Sequence, residues 1–316
     1  MRYLHWLVVS ILIFLVSSLL LLGTSCNCQN QVTTGSPSTT TIKGKLFIWK
    51  VSSGTTHIYL LGSVHLASQN LYPLDSMIEN AFESADNLVV EVNTNNISQD
   101  SVSRFVMQYG AYPLGDGFKK NVSEDVYNQL EKQFKEYSVN ITQLDNFKPW
   151  VIYAVISQAI FKNLGYKSEY GIDNYFLDKA VNNGKNILEL ETTEYQLALM
   201  SSIPDEITLK MMQYDVGNPE TENYLQRLFD AWLDGDAAKM EAIVFEALYE
   251  EPELSPYYEI AYEQRNNQMV PKIEGFLAGD EVYFVVVGAG HLVGENGLIN
   301  LLKNKGYVIE QLDDSD

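Results

Sequence analysis

Two of the four histidines occupy the same place in two similar stretches of sequence. His65 ends Gly-Ser-Val-His at residues 62–65, and His291 ends Gly-Ala-Gly-His at residues 288–291. Each stretch follows a run of β-forming residues, and glycine lets the backbone leave a strand sharply. Two neutral imidazoles that converge with a carboxylate are a common first shell for a divalent metal ion, which lowers the pKa of a bound water. The pair therefore predicts a metal site, provided that the two turns meet.

Glu91 is the carboxylate best placed in the sequence to complete this set. It interrupts the apolar run Leu-Val-Val-Glu-Val at residues 88–92, where a charged residue needs a reason. A solvent-facing sheet edge is the simpler alternative for Glu91. Either histidine, taken alone, is better interpreted as a turn or core residue. The repetition of the whole unit favours a paired site.

Four further polar residues are candidates with a competing structural interpretation. Asp173 in Gly-Ile-Asp fits a helix cap, and Glu191 precedes a Thr-Thr-Glu sequence that also fits a cap. Arg265 and Asn266 are adjacent, and the arginine could hold a carboxylate bidentately. For these two residues the alternative is a solvated helix end.

The elements that would position these residues alternate between strands and helices. We predict strands at 45–51, 57–63, 87–93, 186–191, 282–288 and 307–312. Helices are predicted at 121–137, 149–164 and 172–182, with four or five more between 194 and 277. A strand, Gly-x-x-His, helix, strand unit occurs near each end of the chain. This pattern predicts an α/β (α+β) fold with a mixed central sheet built from the two units, flanked by helices, and with a large helical middle insertion.

Composition restricts the function of the chain. Its 316 residues carry a formal net charge of -20, which argues against nucleic acid as a partner. The two cysteines, Cys26 and Cys28, precede the folded body, so that body uses neither disulfides nor thiolate chemistry. A nucleotide-binding loop and a Gly-x-Ser-x-Gly elbow are also absent from the sequence.

The N-terminus indicates export. Residues 1–25 contain an apolar run typical of a signal peptide or a membrane anchor. Gly-Thr-Ser-Cys, ending at Cys26, is similar to a bacterial lipoprotein signal, although Gly23 stands where leucine is usual. We expect lipidation at Cys26 or retention of an N-terminal anchor. A Ser/Thr-rich tether follows at 26–41, and the folded domain is predicted at 42–316.

Taken in order, these motifs resemble the TraB/GumN family, which includes the Tiki metalloproteases and the pheromone-shutdown proteins. The similarity covers about residues 43–312 and is most specific near the C-terminus. It implies a fold related to erythromycin esterases and haem-binding ChaN-like proteins. It also implies a catalytic site whose residues are His65, Glu91, Asp173, Glu191, Arg265, Asn266 and His291.

The resulting expectation is a membrane-tethered, extracytoplasmic, metal-dependent hydrolase, in particular a peptidase acting on an exported peptide or protein. His65, Glu91 and His291 would hold manganese, cobalt or zinc. Glu191 or Asp173 would act as general base or support the ligands, and Arg265 with Asn266 would position the substrate or an oxyanion. Two alternatives stay open. One is a non-enzymatic protein that sequesters a peptide, as the pheromone-shutdown relatives imply, and the other is a haem- or metal-binding lipoprotein.

Overall fold

The computed structural model describes residues 44–54, 56–216, 218 and 220–314. The expected signal or anchor at 1–25, the tether at 26–41 and the lipidation site Cys26 lie outside the described residues. Within the described part of the chain, no helix is both long enough and apolar enough to cross a bilayer.

One six-stranded mixed sheet organises the fold. The strands are β1 Lys45–Ser53, β2 Thr56–Ser63, β3 Asn87–Val90, β4 Asn186–Glu189, β5 Tyr283–Gly288 and β6 Val308–Asp313. Their order across the sheet is β4-β3-β5-β2-β1-β6. Only β1 among these strands runs antiparallel to its neighbours, β2 and β6, and the other pairs are parallel. The prediction of a mixed α/β sheet is confirmed.

β5 occupies the middle of this sheet, between β3 and β2. Its apolar residues from Phe284 to Val287 are fully buried, as expected for a strand covered on both faces. β5 pairs in parallel with β2, and the register places Gly288 opposite Ser63. Both Gly-x-x-His turns therefore leave the same edge of the sheet from adjacent strands.

Helices cover both the sheet and each other, and most lie between β3 and β5. The α-helices are α1 Ser76–Ser84, α2 Gln99–Tyr109, α3 Phe118–Asn121, α4 Glu124–Glu136, α5 Pro149–Asn163, α6 Ile172–Asn183, α7 Thr193–Ser202, α8 Asp205–Asp215, α9 Thr221–Leu233, α10 Ala237–Val244, α11 Glu246–Glu250, α12 Ser255–Tyr258, α13 Gln264–Leu277 and α14 Leu298–Asn304. A π-helical turn at Glu259–Glu263 joins α12 to α13. Ser123 caps α4 by accepting a hydrogen bond from the Val126 N–H.

The helical middle is more finely divided than the four or five helices predicted between 194 and 277. The described residues of this range form seven α-helical segments, α7 to α13. Pro204 stands at the N-cap of α8, and Gly235 follows α9 with a φ of 60° that favours glycine. The extra breaks fall around Phe245 and Pro252, where helical periodicity continues across short interruptions.

Two strands end earlier than predicted. β3 stops at Val90 and β4 at Glu189, so Glu91 and Glu191 lie just beyond the carboxyl ends of parallel strands. Backbone pairing continues for two more bonds, from the Leu190 N–H to Val90 O and from the Glu191 N–H to Glu91 O, each 2.8 Å. The prediction of a glutamate inside a strand is therefore wrong at Glu91. Its position places the carboxylate at the sheet edge where α/β proteins build their sites.

Candidate functional site

Both histidines are buried at this edge of the sheet. His65 lies two residues beyond β2, and His291 ends a single 3-10 turn at Ala289–His291 that directly follows β5. Their exposed fractions are 8% and 2%, so solvent reaches neither imidazole freely. The two turns that the sequence paired thus lie side by side.

Asp173 holds His65 in one orientation. Its Oδ2 lies 2.7 Å from His65 Nδ1, and Ser63 Oγ donates a hydrogen bond of 2.8 Å to its other oxygen. An ionised carboxylate only accepts hydrogen bonds, so Nδ1 carries the proton. The lone pair of His65 Nε2 is then available to the centre of the site. Asp173 comes from the first turn of α6, whose N-cap is Gly171, so it does not act as the helix cap.

Asn266 does the same for His291. Its Oδ1 lies 2.6 Å from His291 Nδ1, while its Nδ2 donates to the carbonyls of His291 and Asn296 at 3.3 and 2.8 Å. The amide nitrogen is identified as the donor because it faces two carbonyls, so the oxygen accepts from Nδ1. The ring of Tyr262 packs beside His291 with 5.3 Å between the centroids. His291 Nε2 is consequently left without a proton.

Glu91 belongs to a buried cluster of charges behind the histidines. Arg265 Nη2 donates to Glu91 Oε2 and, at 2.7 Å, to Glu191 Oε2, while Arg265 Nε donates to Glu191 Oε1 at 2.9 Å. Gln196 Nε2 bridges the two carboxylates at 3.3 and 2.7 Å. This arrangement uses Glu91 Oε2 and leaves Oε1 facing the imidazoles.

The three candidate ligands converge at Gly288. Glu91 Oε1 accepts the Gly288 N–H at 2.7 Å and lies 3.8 Å from His291 Nε2. A β-carbon placed on Gly288 would lie 3.0 Å from His65 Nε2 and 3.5 Å from Glu91 Oε1. Among the described residues, no three acidic, histidine or cysteine side chains already have the spacing of a complete metal site. The donor types nevertheless fit a divalent ion, since two imidazole nitrogens and one carboxylate oxygen face the same space.

The charges of the cluster set its protonation. Although burial raises the pKa of Glu91, the Arg265 guanidinium lowers it well below its usual range. Burial and Arg265 lower the pKa of His291 to about 3, so this imidazole is neutral at physiological pH. Burial acts to lower the pKa of His65 as well, but the Asp173 carboxylate outweighs it and raises that pKa. The site thus contains the ionised Glu91 carboxylate and two imidazoles whose pKa values are shifted in opposite directions.

The structure brings all seven predicted site residues into this cluster, with a changed role for several. Glu191 binds Arg265, while the cap of α7 is Thr192. Arg265 and Asn266 were expected to position the substrate or an oxyanion, and this role stays a prediction. In the structure their hydrogen bonds are made to Glu91, Glu191, His291 and backbone carbonyls, which places both residues in the cluster.

Sequence reasoning missed three members of the site. Ser63 donates to Asp173, and its place inside Gly-Ser-Val-His could have indicated such a contact. Gln196 and Tyr262 lie in helical sequence with nothing to distinguish them from surface or core positions. Both are buried and both touch the cluster.

Comparison with known proteins gives one family. The model of the TraB/PrgY/gumN family matches residues 47–311. Two uncharacterised proteins called YbaP, from Escherichia coli strain K12 and from Shigella flexneri, are each 25% identical over 267 residues, which is 83% of this chain and 95% of each relative. An uncharacterised protein of Treponema pallidum strain Nichols is 25% identical over 201 residues, 63% of this chain and 59% of its own. The region that the family model matches, residues 47–311, includes every residue of the buried cluster.

Proposed function

The chain belongs to the TraB/PrgY/gumN family, and from this membership and the buried cluster we propose that it is a metal-dependent hydrolase that cleaves a peptide bond. One observation carries the proposal. Both imidazoles have Nδ1 held by an acceptor, the arrangement by which metal-binding histidines are oriented. His291 Nε2 lies 3.8 Å from Glu91 Oε1, and a β-carbon placed on Gly288 would lie 3.0 Å from His65 Nε2 and 3.5 Å from the same carboxylate oxygen.

His65 Nε2, His291 Nε2 and Glu91 Oε1 would hold the ion, which supplies a water acidic enough to act as a nucleophile near neutral pH. Manganese, cobalt and zinc all accept this mixture of imidazole and carboxylate. Burial keeps bulk water away from the three donors, which strengthens their electrostatic interactions.

The surrounding side chains position the donors. Asp173 and Asn266 fix the histidine tautomers, and Arg265 keeps Glu91 ionised by lying against its other oxygen. The oxygens of Asp173 and Glu191 are engaged by Ser63, His65, Arg265 and Gln196. We therefore assign Asp173 and Glu191 to support of the ligands rather than to general base catalysis.

The proposal also covers the substrate, the cellular location of the protein and the relation of its fold to other proteins. An exported peptide or protein is the proposed substrate, and the N-terminal 41 residues would tether the enzyme to the outer side of the membrane, through lipid on Cys26 or through an anchor. The proposed relation to the erythromycin esterases and ChaN-like proteins concerns the fold and rests on the resemblance alone.

Removal of metal is the first test. We expect protein purified without a histidine tag to hydrolyse a mixed fluorogenic peptide library, to lose that activity on dialysis against a chelator, and to regain it with manganese, cobalt or zinc. Far-ultraviolet circular dichroism should show no loss of helix in the dialysed protein, because the sheet and the ion-pair cluster do not depend on the ion. Activity that survives chelation with no metal detected by plasma mass spectrometry would contradict the proposal. Specific peptide binding with no turnover under any metal would instead favour a sequestering protein.

Replacing Gly288 with alanine tests the crowded centre of the site. The backbone at Gly288, with φ of -51° and ψ of 137°, accepts alanine, but the new methyl group would press against His65 Nε2. We expect kcat/KM to fall by about 10–100-fold, since small displacements of ligands cost that much, while the free energy of unfolding changes by less than about 1.5 kcal/mol.

Gly275→Ala is the matched control for this substitution. Gly275 lies on the exposed side of α13, and a β-carbon there would have nothing within 4 Å. This variant should retain full activity and gain up to about 1 kcal/mol of stability from helix propensity. Equal activities of the two variants would show that the space in front of Gly288 is not used.

A further inference from the structure

A cleft of about 440 Å³ opens beside the buried cluster. It lies between α10 to α13 and the loop that follows His291, which contributes residues 293–296. Asn266 connects the two regions, because it lines the cleft and also holds His291 Nδ1. The volume suits a few amino-acid side chains. A peptide that reaches the histidines from this side would place the neighbouring part of its chain here.

One wall of the cleft is aromatic. Phe245, Tyr258 and Tyr262 line it, with ring centroids 5.4 to 6.0 Å apart. Tyr262 belongs to the π-helical turn, and such turns occur frequently at functional sites. Its side chain is 5% exposed, and its hydroxyl has no hydrogen-bond partner within the described residues. Aromatic faces attract cations, and a free hydroxyl offers them an additional oxygen.

The remaining polar lining is acidic. Glu241, Glu259, Glu263 and Glu295 contribute four carboxylates, and no described residue that lines the cleft is a lysine or an arginine. None of the four forms an ion pair with a cation of the described chain, whereas the nearby Glu246 is paired with Arg227 at 3.1 Å. A concave surface lined by one sign of charge concentrates ligands of the opposite sign.

From these features we infer that the cleft binds a lysine or arginine side chain of the peptide, next to the bond that is cleaved. The aliphatic stem would lie along the aromatic wall and the cationic end would reach the glutamates. This inference rests on the proposed peptidase function and assigns its substrate class, a cationic peptide segment.

The test measures binding separately from turnover. We would use the full-length chain in a non-ionic detergent and fluorescent hexapeptides that are identical except for one central position. That position holds lysine, arginine, norleucine or glutamate, and norleucine keeps the length of lysine without its charge. We expect the lysine and arginine peptides to bind about tenfold more tightly than norleucine, and glutamate to bind most weakly, with the preference shrinking as salt is added.

A cleft in which Glu241 is the one remaining carboxylate among the described lining residues supplies the matched variant. Glu259→Gln/Glu263→Gln/Glu295→Gln should abolish the preference for lysine over norleucine and leave norleucine binding unchanged. The control, Glu136→Gln/Asp280→Asn/Glu310→Gln, removes the same number of charges from exposed positions outside the cleft and should keep the preference.

The outcomes separate this inference from the proposed function. Hydrolysis of the peptides with no preference for lysine or arginine would overturn the inference and leave the hydrolase intact. Lysine-selective binding that depends on the three glutamates, without hydrolysis, would support the cleft and overturn the enzyme. A preference that survives in the cleft variant would overturn the inference, because the charge would be recognised elsewhere.

Discussion

Arg265→Ala is expected to lower the free energy of unfolding by about 3–5 kcal/mol at neutral pH, the cost of leaving buried charges without their partner. Glu91 and Glu191 are 2% and 4% exposed, and the only cation bonded to either is Arg265 within the described chain. Gln196 cannot replace it, because an amide bridges the carboxylates without neutralising them. Urea unfolding followed by circular dichroism measures the difference without adding salt.

The pH dependence of this deficit has a definite sign. In the wild-type chain the pKa of Glu91 is depressed, because Arg265 outweighs the effect of burial, so its ionisation stabilises the fold above its ordinary pKa of 4.5 and that contribution is lost as the pH falls. In the variant the Glu91 carboxylate is buried without a cation beside it. The variant chain therefore folds more readily when Glu91 is protonated. The deficit should therefore be largest near neutral pH, shrink as the pH falls toward 4.5, and continue to shrink below it as the wild-type chain loses its own contribution.

Arg227→Ala is the control for this prediction. Arg227 also binds a glutamate, Glu246, but the two side chains are 32% and 21% exposed. An ion pair with this access to solvent contributes about 1 kcal/mol or less. If Arg265→Ala cost no more than Arg227→Ala, the buried cluster would not have the electrostatic role assigned to it.

His65→Ala/His291→Ala should reduce kcat/KM by at least about 1,000-fold and remove bound metal, because both imidazole ligands are lost together. The measurements are metal content by plasma mass spectrometry and hydrolysis of the peptide library. The chain should still fold, since the core strands β2 and β5 keep every backbone hydrogen bond of their pairing.

His57→Ala is the matched control. His57 also belongs to β2, but it lies near the start of that strand, at the opposite end from the Gly-x-x-His turn, and it is partly exposed beside Tyr59. It should keep both metal and activity. A double variant that retained near-stoichiometric metal would contradict the assignment of the two histidines. Loss of peptide affinity in that variant, with no turnover in the wild-type chain, would indicate sequestration.

Much of the fold could be predicted because the spacing of apolar residues along the chain follows which faces of the strands and helices are buried. The apolar run in β5 predicted a central strand, and the repeated Gly-x-x-His units predicted neighbouring turns. Boundaries in the helical middle were less predictable. Short interruptions such as those at Phe245 and Glu251 do not disturb the apolar spacing, and nothing in local sequence specifies a π-helical turn.

The sequence predicted which residues form the candidate site, but it predicted much less well what each of these residues contacts. A charged residue in an apolar stretch of sequence, such as Glu91, indicates a functional position, but the sequence does not show which side chain it binds. Whether Arg265 faces a substrate or two glutamates depends on how α13 packs against the ends of β3 and β4, which are remote in sequence. Gln196 became recognisable only once its amide was seen between the two carboxylates.

The central position of β5 also determines when the buried cluster can assemble during synthesis of the chain. β2 and β3 do not pair with each other, and each pairs instead with a strand that begins at residue 283, about 200 residues later. A nascent chain that ends before β5 has neither a continuous sheet nor the second histidine. The contact order of the fold thus delays assembly of the buried cluster until nearly the whole polypeptide has emerged, and a product truncated before β5 lacks that cluster.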